Sequence, residues 1–477
     1  SLHQFYKSQN YFMSISSFLR KKFSRPLFFP SHNRGKGLPK KLVQLLREEP
    51  GLWDIPELPE LGTPLSDFGL IKDSQDYFAK KFAANSCWFG VNGASGLLQS
   101  SILSMANPGE YILLPRNIHI SIIKICIVAN IIPIFFDLEF SEITGQYLPI
   151  KESWLKKILN SNVLNNIKIS GIVLVNPHYQ GYSSEIKPLV ELCHRFEIPV
   201  LVDEAHGSYF LFCEDYGLPN SAVKAKADLV VHSLHKSLNG LTQTAMLWHH
   251  GNIIDKSKIA KKINLLQTTS PNSLLIASCD ESIKDWLEKD NLEKYKKRIR
   301  EARNIYKELV SRDVPLIKTD DPLKIILNTG SHGIDGFTAD EFFYKKGVIS
   351  ELPEMMTLTF CLGFVEQTNF IDMFENLWKS LLSSIKERKD LQPIKPPFSL
   401  IQIPEIAPSK SLQRNSQKVN LNQSIGRISA DIICPYPPGI PLAIPGERIE
   451  KERVDWLIKQ GLMGENLLDF YINVLIT

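Results

Sequence analysis

"IPVLVDEAHG" occupies residues 198–207, and the way it ends decides the fold. Ile198 to Val202 form an unbroken apolar run, Asp203 closes it, and a small alanine and a histidine, Ala205 and His206, follow. A short apolar run without polar alternation fits a strand covered on both faces. Working outward, "YILLP" (111–115), "IIPIFF" (131–136), "ISGIVLV" (169–175) and "ADLVVHS" (227–233) have the same character, separated by longer helix-like stretches. Strands alternating with helices imply an α/β architecture: a large, mostly parallel sheet with helices on both faces. Ligands of such sheets bind beyond the carboxyl ends of the strands. Asp203 and Ser233, which close two of the runs, are therefore site candidates. So is Lys236 in "HSLHKS" (232–237), on the connection to a further apolar run, "TAMLW" (244–248).

Composition narrows the function. The 477 residues suffice for more than one domain. A hydrophobic content of 43% and a charged content of 22% describe an ordinary globular protein. The net charge of +4 is too small for this length to make nucleic acid the main partner. Seven cysteines stand far apart without a CxxC pair, which argues against a zinc knuckle or a disulfide framework and suits a reducing, cytoplasmic compartment. The most apolar stretch, 118–136, is interrupted by His119, Ser121, Lys124 and Asn130, so no membrane span is expected. No acidic residue precedes Glu48, and "SISSFLRKKFSRP" is basic and serine-containing. It reads as an N-terminal arm docking on a neighbouring subunit or as an organellar transit segment, for instance to a plastid.

Four groups fall at the ends of these runs. "VNGASGLLQSS" (91–101) places small residues ahead of a helical pattern, whose first amides can cradle a phosphate. "RNIH" ends in His119, "VDEAHG" supplies Asp203, and "HSLHKS" supplies Lys236. An anion cradle, a stacking imidazole, a buried carboxylate and a lysine amine are what pyridoxal 5'-phosphate needs. Taken singly, each residue has a plainer reading: a surface lysine, a helix-capping aspartate, a satisfied core histidine. The pairs His232 with His235 and His249 with His250 have no cysteine nearby, and no metal is expected there.

The ordered set, with "FFPSHNRGKG" (28–37), "LPRNIHIS" (114–121), "NPHYQGYSSEIKPLVELCHRFEIPVLVDEAHGSYF" (176–210), "SLHKSLNGLTQTAMLW" (233–248), "QTTSPNSLLIASCD" (267–280) and "IGRISADIICPYPPGIPLAIPGERI" (425–449), resembles the fold-type I, pyridoxal-phosphate-dependent Orn/Lys/Arg decarboxylase family. The resemblance implies a transferase-type fold I large domain with smaller α/β and C-terminal domains. The expected boundaries are an N-terminal segment over 1–60, the large domain over 61–285, the small domain over 286–395 and the C-terminal domain over 396–477. It implies that Lys236 joins the cofactor aldehyde and that Asp203 pairs with the pyridine nitrogen. Ala205 and His119 would take the two ring faces, and Ala94, Ser95, Gly96, Ser233 and His235 the phosphate. Thr269 and Ser270 would reach the phosphate of a neighbouring subunit, so a homodimer is expected. His206, Glu351 and Glu447 are the expected substrate contacts, and the activity is release of CO2 from arginine, lysine or ornithine, as in polyamine synthesis.

There are departures. Ile120 follows His119 where the family usually has a lysine, and "APSKSLQRNSQKV" (407–419) replaces a better-defined stretch. The receiver-like N-terminal wing of the large bacterial enzymes is missing from this sequence, so the ring assembly it supports is not expected. Another fold-type I enzyme, an aminotransferase or a lyase, and a non-catalytic decarboxylase-like subunit remain as alternatives.

Overall fold

The computed structural model describes residues 15–20, 23–435, 439–460 and 471–476. Part of the basic N-terminal stretch and residues 436–438 of the proline-rich segment lie outside the described residues. Seven strands of one sheet lie between residues 86 and 249: β1 (Ser86–Gly90), β2 (Tyr111–Pro115), β3 (Ile132–Phe136), β4 (Ile169–Val175), β5 (Val200–Asp203), β6 (Leu229–Ser233) and β7 (Ala245–His249). The expected runs all become strands, trimmed by up to two residues at their starts. β1 is an addition that "SCWFG" did not announce, being too short and lacking β-branched residues.

Helices α1 (Gly93–Met105), α2 (Ile120–Val128), α3 (Ile186–Arg195), α4 (Lys256–Leu266) and α5 (Ser273–Leu287) cover the sheet. The charged stretch 283–310 reads as one helix, but the chain breaks at Glu288, extended at φ −71° and ψ 121°, before α6 (Lys289–Ser311). No Gly or Pro marks that break. A smaller antiparallel sheet follows, with strands β8 (Leu316–Ile317), β9 (Lys324–Leu327), β10 (Leu352–Pro353) and β11 (Leu358–Cys361), and packs with α7 (Gly336–Lys345). The remainder adds β12 (Ile401–Gln402), an edge strand of the large sheet, and a two-stranded ribbon of β13 (Ser416–Asn420) and β14 (Tyr471–Leu475).

The large sheet runs β12-β3-β2-β4-β5-β6-β7-β1. Its five central strands, β3 to β6 through β2, are parallel; β7 is antiparallel to both of its neighbours. Alternation along each strand divides the core. Ile112, Leu114, Val173, Leu201 and Val231 face α1, α2 and α4 on one side, while Leu113, Ile172, Val200, Val202 and Val230 join the α3 side. No helix among the described residues is long and apolar enough to cross a membrane.

Leu114 is wholly buried beneath α2, whereas Val128 at the end of α2 is 80% exposed. Leu114→Ala should lower unfolding free energy by about 2–5 kcal/mol, and Val128→Ala by less than about 0.5 kcal/mol. Urea midpoints at unchanged m value would show this contrast.

Candidate active site

Parallel register aligns the strand ends. Val175 of β4 pairs with Asp203 of β5, which in turn pairs with Val231 of β6. Beyond these ends opens a cavity of about 590 Å³. Lys236, Asp203, His119, Ala94, Ser95, Ala205, His206, Ser233 and His235 all line it. Gly96 lies one residue deeper in α1, turned against Asn92.

Each side chain is placed by its local backbone. Asp203 is the last residue of β5 and 6% exposed, and its Oδ1 accepts the Ala205 amide at 3.2 Å. His119 caps α2: its Nδ1 accepts the Ser121 amide at 3.2 Å, which leaves Nε2 toward the cavity it lines. Ile120, where the family has lysine, lines the same cavity. Lys236 sits in a single helical turn, Leu234–Ser237, directly after β6. "FFPSHN" packs behind this turn, with the Ser31 amide donating to the His235 carbonyl at 2.9 Å. The start of α1 places first-turn amides without intrahelical acceptors at the cavity wall. Ser233 Oγ and His235 Nδ1 lie 3.1 Å apart on the same wall.

Electrostatics follow from burial. Desolvation lowers the Lys236 ammonium below the usual lysine value, against the pull of the Asp203 carboxylate, and Lys324 adds to the lowering. Lys236 Nζ is 3.1 Å from His206 Nε2. Burial, with Lys236 and Lys324 beside it, holds His206 well below the ordinary histidine value, so a neutral imidazole faces the amine. Lys324 was not foreseen from the sequence. It is 5% exposed, with Nζ 4.4 Å from the Phe29 ring centre and 3.2 Å from Cys361 Sγ. His119 and His235 are also lowered by burial, His235 to about 4.

Two expected substrate contacts, Glu351 and Glu447, are committed to partners within the chain. Thr269 and Ser270 are exposed on the loop between α4 and α5 and do not line the cavity. Glu351 accepts the Phe29 amide at 3.0 Å and the Tyr179 hydroxyl. Glu447 is 1% exposed and lies between Arg116, at 2.5 Å, and Arg453, at 3.4 Å. Burial would raise its carboxyl, but the two guanidinium groups outweigh that and hold it below the usual range. Both of its oxygens are thus committed within the chain, and Arg116 is further enclosed by the Phe135 and Phe398 rings. His232, weighed as a ligand, bonds Glu204 at 2.6 Å and Trp248 at 3.0 Å. His249 and His250 meet the carbonyls of Ile254 and Ala227.

Residues 20–345 match the model of the Orn/Lys/Arg decarboxylase major domain, and residues 395–461 that of its C-terminal domain. The chain belongs to the Orn/Lys/Arg decarboxylase family. It is accordingly one of a family of amino acid carboxy-lyases. Among similar curated proteins, the arginine decarboxylase of Bacillus subtilis is 29% identical over 92% of either chain, and that of Bacillus anthracis 28% over 90% of this chain and 88% of its own. The constitutive lysine decarboxylase of E. coli shares the fold, with a TM-score of 0.72 over 89% of this chain and 75% of that one, at 18% identity. Within this member of the family, the major domain carries the strand ends and the C-terminal domain contributes Glu447 to Arg116, three residues before His119.

Replacing Glu447 with Gln leaves two buried arginines without a full counter-charge. It should lower unfolding free energy by about 3–5 kcal/mol, against roughly 0–1 kcal/mol for Glu405→Gln in the exposed pair with Arg448. If Glu447 instead serves substrate, KM rises while the urea midpoint holds. Acid sensitivity should follow from His178 and His250, 2% and 4% exposed and each held down to about 4 by burial. With a folded pKa below the unfolded 6.5, the unfolded chain takes up more protons as pH falls. Stability is then full above about pH 6.5 and declines toward pH 4, by up to about 1.4 kcal/mol per pH unit for each imidazole. Urea midpoints measured from pH 7 to 5 should fall; a flat profile contradicts this.

Proposed function

We propose that this chain releases CO2 from arginine, giving agmatine for polyamine synthesis, with pyridoxal 5'-phosphate held at Lys236. The observation that carries the proposal is the single cavity in which the Lys236 amine, lowered by burial, shares the wall with the Asp203 carboxylate, His119 and the first turn of α1. These residues fit the cofactor. A reactive amine, a buried carboxylate for a ring nitrogen, an imidazole and Ala205 for the ring faces, and helix-start amides with Ser95, Ser233 and His235 for a phosphate are all present. When bound, the cofactor supplies a sink for the electron pair left at Cα when the carboxylate departs.

The chain's own residues do the rest. With the cofactor bound, Asp203 would hold a proton on the ring nitrogen, and the dry surroundings of the carboxylate would enhance that interaction. The neutral His206 accepts from the Lys236 amine and steers it, and the Nζ–Nε2 contact offers a path for returning a proton to Cα. Arginine is favoured over lysine because relatives named arginine decarboxylase match at 28–29% identity, while those named lysine decarboxylase match at 22–23%. Thr269 and Ser270, exposed and outside the lining of their own cavity, support the reading that they complete the site of a second copy in a homodimer. Seven free thiols support a reducing compartment such as the cytoplasm.

Measured CO2 release from arginine, lysine and ornithine tests this. Arginine should give the highest kcat/KM, and Lys236→Ala should reduce it by on the order of 1,000-fold or more. No release from any of the three contradicts the activity; release that survives Lys236→Ala contradicts the assigned amine; a preference for lysine contradicts the substrate.

A further inference from the structure

We infer that Glu354 receives the cationic far end of the substrate and is the residue that selects basic amino acids. The inference rests on the decarboxylase reading and names the specificity determinant within it.

Among the described residues lining the cavity, Asp203 and Glu354 are the two carboxylates. Asp203 belongs to the Lys236 end. Glu354 comes from the other domain, on the turn that joins β10 to β11. Its Oε1 accepts from Gln180 Nε2 at 3.1 Å, and its Oε2 from Gln146 Nε2 at 3.2 Å and Thr357 Oγ1 at 3.1 Å. The three donors also line the cavity, and all are neutral. The Tyr182 hydroxyl donates to Gln146 Oε1 at 3.1 Å, which fixes that amide with its NH2 toward Glu354.

No lysine, arginine or histidine among the described residues pairs with Glu354. That distinguishes it from Glu447, which has two arginines. A half-buried carboxylate held by neutral donors alone lacks a counter-charge, and its partial desolvation raises its pKa. A guanidinium or ammonium entering the cavity would supply that charge, and each oxygen keeps acceptor capacity for it.

The turn is also held firmly. Glu354 N donates to Thr357 O at 2.8 Å, and Gly336 N donates to Glu354 O at 3.1 Å. A Cβ on Gly336 would lie 2.2 Å from the carbonyl oxygens of both Glu354 and Thr357, so α7 abuts the turn as closely as a glycine allows. Glu351, three residues earlier in extended chain, points the opposite way, toward Phe29 and Tyr179.

The test uses the holoenzyme with two competitive inhibitors, agmatine and pentylamine, which share an amine but differ in a charged against an apolar tail. Glu354→Gln should reduce the preference for agmatine by on the order of 100-fold, leave pentylamine binding unchanged, and lower kcat/KM for arginine mainly through KM. A folded Glu354→Gln enzyme with the wild-type preference overturns the inference. Glu354→Asp keeps the charge but sets it back by one methylene, so the ratio of kcat/KM for homoarginine over arginine should rise at least about tenfold. An unchanged ratio there overturns the inference even if Glu354→Gln fails to fold. If wild-type enzyme releases no CO2 from any basic amino acid, the decarboxylase reading fails, while the inhibitor preference still decides the role of Glu354.

Discussion

Parallel strands bonded in register finish at one edge, and on that edge the rest of this structure depends. Because β4 and β5 end level and β6 runs two residues further, Val175, Asp203 and the turn after Ser233 open into one space. The polar groups there could not occupy the strand interiors, where apolar side chains fill both faces. The sheet therefore separates a dry core from a strip of polar and charged side chains along its carboxyl edge, and Lys236 stands on that strip. Its nearest nitrogen neighbour, His206, is kept neutral by the same burial that lowers the amine.

Three carboxylates show how donors, more than depth, assign roles. Glu447 is enclosed with two guanidinium groups and is consumed in holding the C-terminal segment to β2. Glu351 is consumed by a backbone amide and a phenol beneath the lysine turn. Among the described residues Glu354 has amide and hydroxyl donors only, so no cation there offsets its charge. A half-buried acid acts outward when its partners leave its charge uncompensated.

The strand runs from 111 to 248 and the Lys236–Asp203–His119 grouping were legible because apolar runs and their polar closures are local signals, whereas the order of the strands across the sheet is set by long-range pairing. The distal contacts were not. "ELPE" holds two glutamates three residues apart, and an extended chain sends such residues to opposite sides. Nothing in the tetrapeptide says which side faces the cavity. For Glu447 the missing information was the position of Arg116, which is distant in sequence. Lys324 was hidden for another reason: a lysine in a short strand reads as solvated, and only the Phe29 ring and Cys361 explain its burial. The helix break at Glu288 depends on backbone direction, with no residue type to signal it.

The bond between Arg116 and Glu447 joins residues 331 positions apart. A chain under synthesis makes Arg116 early and its counter-ion late. For most of that interval a guanidinium destined for the interior has nothing to neutralise it, and the β2 end beside His119 must stay hydrated. The large domain can assemble its sheet in that time, since domains fold as units from the amino end. Cys434, Ile440 and Trp456, which complete the cavity wall, follow the strands that carry Asp203 and Ser233 by some two hundred residues. The order of translation thus places closure of the site after assembly of the sheet beneath it.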